Sequence, residues 1–119
     1  MRPDRRRLVP LALCAALSLA SAAASAADRF FAYNETTSTD LTGVYLAPAG
    51  TQQWGPNQAL NDKDKRLDTS ERLPLTGLRP GTYDVKLVDG KGRVCLKRDV
   101  DLTRDKSFEI RDADLGSCR

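Results

Sequence analysis

From residue 29 onward, apolar and polar positions alternate with a period of two. Tyr83, Val85 and Leu87 interleave with Thr82, Asp84 and Lys86, the pattern of a strand with one buried face. Similar stretches at residues 29–34 (RFFAYN), 42–48 (TGVYLAP), 71–75 (ERLPL), 94–102 and 107–112 complete a six-strand reading. Pro74 demotes the third stretch to a sheet edge, because proline has no N–H for a ladder. Phe108 and Ile110 share a face of the last. The pattern predicts an all-β domain, a small antiparallel sandwich.

Turn chemistry separates these stretches. Arg79-Pro80-Gly81 joins the fixed φ of proline to a glycine that tolerates positive φ, which suits a tight turn. Asp89-Gly90-Lys91-Gly92 reads as a hairpin loop. A two-residue turn at Gly90-Lys91 sets Leu87 opposite Val94, Val85 opposite Leu96 and Asp84 opposite Lys97, with Cys95 on the outer face. A three-residue loop reverses that parity, and the sequence leaves both open. Residues 48–70 lack strand character, and more than 20 residues is long for a structureless connection in a small domain. Residues 56–67 are expected to form one or two helical turns, with Pro56 at the first helical position and Leu60 and Leu67 on one face.

The N-terminus changes the picture. Arg2, Arg5, Arg6 and Arg7 precede an apolar run over residues 8–20, and Ala24-Ser25-Ala26 closes a small-residue stretch. This order predicts a signal peptide over residues 1–27, cleaved after Ala26 or Ala27, and a single domain over 28–119. The run is shorter than the ~20 residues of a membrane span, so no stable membrane insertion is expected after cleavage. Arg5-Arg6 is also compatible with a twin-arginine signal and Cys14 with a lipoprotein, although Leu13 stands where a small residue is wanted. The expected location is periplasmic or secreted.

The chain has 19 basic and 16 acidic residues. Four of the former and Asp4 lie in the leader, which leaves fifteen of each sign beyond it. A neutral domain gives no basic face for nucleic acid. Two cysteines survive cleavage, Cys95 and Cys118, and in a small exported domain an even pair reads as a disulfide. Closing a loop of roughly 22 residues is worth about 3 kcal/mol in the chain-entropy model.

The chain contains no histidine, which removes Ser-His-Asp and Cys-His catalysis and the commonest zinc ligand. Oxidised cysteines offer no nucleophile, so a carboxylate pair is the remaining catalytic option, and no residue is assigned as catalytic. Asp62, Asp64 and Asp68 invite a calcium reading, but Leu67 and Leu73 stand where an EF-hand loop has Gly and Glu. Lys63, Lys65 and Arg66 neutralise the cluster, so neither metal nor cofactor is expected. Asn34-Glu35-Thr36 matches a glycosylation acceptor in form, though a polar strand end before a turn accounts for it.

Trp54, the sole tryptophan, either caps the core or anchors a partner. In the second case Gln52, Gln53 and Asn57 supply hydrogen bonds beside it. The expected function is that of a non-enzymatic binding or interaction module for a protein or carbohydrate partner in the periplasm. A protein inhibitor of an exported enzyme, or a carboxylate-based hydrolase, are the alternatives.

Asn34-Glu35-Thr36, Val44 to Pro48 (VYLAP), Trp54-Gly55-Pro56-Asn57, Leu78-Arg79-Pro80-Gly81 and the late Cys95 and Cys118 follow one another in order. In this the chain resembles a family of small exported bacterial proteins of unassigned function. Residues 78–87 (LRPGTYDVKL) are locally similar to prealbumin-like and carboxypeptidase-regulatory-like domains. The resemblance implies an immunoglobulin-like or prealbumin-like sandwich and carries no active site with it.

Overall fold

A computed structural model describes residues 29–119; the expected leader, including Arg5-Arg6 and Cys14, lies outside the described residues. The strands are β1 (Phe30–Asn34), β2 (Leu41–Pro48), β3 (Arg72–Leu75), β4 (Thr82–Asp89), β5 (Val94–Asp101) and β6 (Ser107–Ile110). They form two three-stranded sheets, ordered β3-β1-β6 and β2-β4-β5. The fold is all-β. Neighbouring strands are antiparallel except β1 and β6, which run parallel.

Alternation decides which face is buried. Phe30 and Ala32, Leu73 and Leu75, and Phe108 and Ile110 face inward from the first sheet. Val44 and Leu46, Val85 and Leu87, and Cys95 and Val100 meet them from the second. Burial of these side chains is the main force holding the sheets together.

The β4–β5 hairpin takes the three-residue form. Gly92 adopts φ +82°, the left-handed conformation that closes a three-residue loop without a Cβ penalty. Its N–H donates to the Asp89 carbonyl at 3.0 Å. The Asp89 carboxylate accepts from the N–H groups of Lys91 and Arg93, both at 2.9 Å. Leu87 therefore pairs with Cys95, Lys86 with Leu96 and Val85 with Lys97. Of the two registers the sequence left open, the structure takes the second: Cys95 lies in the core, and Val94 and Leu96 point out. Asp84 does not pair with Lys97, whose ammonium reaches Asp114 at 3.0 Å.

Residues 48–70 hold one 3-10 turn, Gln58–Asn61. Asn57 caps it, its Oδ1 accepting from the Ala59 N–H at 3.0 Å, and the chain turns extended again at Asp62. Leu67 then bridges to Leu41 and is buried, whereas Leu60 is 55% exposed. The expected shared face of Leu60 and Leu67 is corrected accordingly: the turn ends too soon to align them.

Candidate functional site

The outer face of the β2-β4-β5 sheet is built in rows across three strands. Tyr45, Lys86 and Leu96 form one row, and Gly43, Val88 and Val94 the next. A Cβ on Gly43 would lie 2.9 Å from the Tyr45 ring and from Val88. The missing side chain is therefore what lets Tyr45 lie down on the sheet.

The loop after β2 doubles back along that strand's free edge. The Gly55 N–H donates to the Leu46 carbonyl at 2.9 Å. The Asn57 side chain then accepts from the Val44 N–H and donates to the Thr42 carbonyl, each at 3.0 Å, as a neighbouring strand would. At the loop's start, the Gly50 N–H donates to the buried Asp84 carboxylate at 2.9 Å. Pinned at both ends, the loop carries Trp54 over the outer face, half-buried and apart from the core cluster. The Lys86 ammonium lies 5.0 Å from the Trp54 ring centroid and 4.7 Å from that of Tyr45, within the range of cation–π attraction.

Beside Trp54 is an open groove of about 850 Å³. The loop contributes Thr51, Gln52 and Trp54, and the sheet contributes Lys86, Val94, Leu96 and Arg98. Val94 and Leu96, on the edge strand β5, are each 37% exposed. The C-terminal tail supplies Ser117 and Arg119. Cys95 and Cys118 form a disulfide, and the backbone groups of Val94 and Arg119 exchange hydrogen bonds at 2.8 and 2.9 Å. The staple thus lays the tail along the edge of β5 and completes the groove.

Of the residues singled out in the sequence, Gln52 and Trp54 line this groove. Gln53 is exposed but outside it, and the amide of Asn57 is committed to the β2 edge. Lys86, Val94, Leu96 and Arg98 were missed. For Val94, Leu96 and Arg98 the signal was the second glycine of the Gly90-Lys91-Gly92 loop, which selects the parity that turns them outward; Lys86 was already on the polar face of β4.

Asp84 supports the site from beneath. Donation from the Gly50 N–H, and next from the Asp99 N–H, holds its carboxyl below the usual carboxylate range against the opposing effect of desolvation. The Arg98 guanidinium, 3.5 Å away, acts in the same direction. Asp89 is lowered in the same way, first by the Arg93 N–H and also by that of Lys91 and the Arg93 side chain.

The other motifs have structural partners. Asn34 is buried, its amide donating to the carbonyls of Thr39 and Leu67 at 2.8 and 3.0 Å while Oδ1 accepts from the Thr36 N–H at 3.0 Å. Asp62 accepts from the Asp64 N–H at 2.7 Å, and Asp68 pairs with Arg66 at 2.6 Å. Among the described residues, no three His, Cys, Asp or Glu side chains converge as metal ligands would. No family model, curated protein or solved structure matches this chain.

Proposed function

We propose that this domain is a non-enzymatic binding module of the periplasm or secreted space, holding a partner in the groove beside Trp54. One observation carries the reading: the sole tryptophan is held by a doubly pinned loop on the outer face, lining one groove with exposed Val94 and Leu96 instead of filling the core. An aromatic anchor with a polar tip, set among aliphatic side chains on a rigid sheet, is the usual centre of a binding surface. Pre-fixing the loop lowers the ordering cost of a contact. The leader pattern supports export. An immunoglobulin-like affinity is supported by Tyr83, whose hydroxyl donates to the Arg79 carbonyl at 2.6 Å, as in the tyrosine corner of such sandwiches.

Site-specific photocrosslinking in the exporting cell tests the proposal. A photoreactive residue at Leu96 should give a discrete adduct, and one at Glu109, exposed on the other sheet, should give none. Equal labelling from both positions, or none from Leu96, would contradict it.

A further inference from the structure

We infer that the groove beside Trp54 takes an acidic segment of a partner protein, with an apolar side chain set among its carboxylates. This rests on the proposal that the groove is the working surface, and it names the chemistry of the occupant.

Charge is the first reason. The domain beyond the leader is balanced, fifteen charges of each sign, yet the groove is lined by Lys86, Arg98 and Arg119 and by no acidic side chain. Among the described residues, no carboxylate pairs with Lys86, whose ammonium is placed by the two rings alone. An ammonium over aromatic faces keeps its N–H donors for an incoming anion. Arg98 shares only a long 3.5 Å contact with Asp84. That carboxylate already accepts backbone N–H bonds at 2.9 and 3.1 Å, so the planar guanidinium keeps donors for a second carboxylate.

The apolar part decides the class of anion. Val94 and Leu96 lie between these cations, and Trp54 stands beside them. Burying them rewards an aliphatic or aromatic side chain, which a protein segment supplies and a polyanionic sugar does not. A sugar would also need carboxylates or amides for its hydroxyls, and Gln52 is the only amide in the lining. Nucleic acid would call for a broader basic face.

Because Trp54 is the sole tryptophan, its emission reports directly on occupancy. The protein is titrated with pooled nonapeptides that carry a central Leu or Phe among Asp, Glu and Gly. Control pools replace the acids by Lys or the apolar residue by Ser, and dextran sulfate serves as an acidic polymer without apolar side chains. The acidic, apolar pool should change the emission saturably, and added salt should weaken the effect. Lys86→Gln and Arg98→Gln, checked for folding by circular dichroism, should each weaken it about three- to five-fold, the scale of an exposed ion pair. Equal binding of the Lys pool would overturn the acidic assignment, and equal binding of dextran sulfate would overturn the protein assignment. A silent tryptophan alongside a discrete Leu96 adduct would sink this inference and spare the binding module. Silence in both would remove both.

Discussion

The Lys86 ammonium stands 5.0 Å from the centre of the Trp54 ring, on the solvent side of the β2-β4-β5 sheet. The contact places the tryptophan outside the structural core, and its energetic consequence can be measured. Trp54→Ala should cost about 1 kcal/mol, since an exposed cation–π contact is worth ~0.5–1 kcal/mol. Phe30→Ala, which empties a fully buried site, should cost about 3–5 kcal/mol. Urea unfolding followed by far-ultraviolet circular dichroism compares the two. A loss of several kcal/mol for Trp54→Ala would mean that the ring is a core residue after all.

The Cys95–Cys118 bond should resist alkylation in the exported protein until it is reduced. Cys95→Ser should lower stability by about 2–5 kcal/mol, the usual cost of a lost native disulfide in a small domain. It should also free Ser117 and Arg119 from the groove, seen as faster hydrogen exchange at Val94. Unchanged exchange there would show that backbone pairing alone holds the tail.

Acid should destabilise the domain through Asp84 and Asp89. Both are held below the ordinary carboxylate pKa in the folded state, so the folded form binds fewer protons than the unfolded chain. Their contribution is therefore complete above the unfolded value of about 3.9 and is lost as pH falls through the lower folded values. Asp84→Asn should lower the melting temperature at pH 7, because an amide cannot accept on both sides from Gly50 and Asp99. It should also flatten the decline below pH 4. An acid limb as steep as wild type would contradict this assignment.

Asn34→Ala should be severely destabilising for a surface-like motif. It leaves the buried Thr36 N–H without its acceptor, an unsatisfied group that costs about 1–3 kcal/mol, and takes one of two donors from each of the Leu67 and Thr39 carbonyls. A loss under about 1 kcal/mol in thermal or urea unfolding would show that water replaces the amide there.

The strands were legible because two-residue alternation is a direct imprint of one buried face, and the sequence of residues 82–87 displays it. Hairpin parity was less so. Asp89-Gly90-Lys91-Gly92 accommodates two turns, and the choice depends on which glycine takes positive φ and on Asp89 bonding back to Lys91 and Arg93. That single ambiguity hid half of the groove, because it decides whether Val94 and Leu96 face the core or the solvent. Asn57 misled in another way. A polar amide beside a tryptophan reads as a ligand contact, whereas here it substitutes for a strand along β2. Trp54 and Gln52 could be found from loop composition alone, but Ser117 and Arg119 could not, since only the folded staple brings them near.

The most direct measurement is the yield of the Leu96 photoadduct in a Trp54→Ala background, scored on protein shown to be folded. If Trp54 anchors a partner in the groove, the adduct should fall to a small fraction of its wild-type yield while the fold persists. A folded Trp54→Ala protein that forms the adduct undiminished would contradict the account.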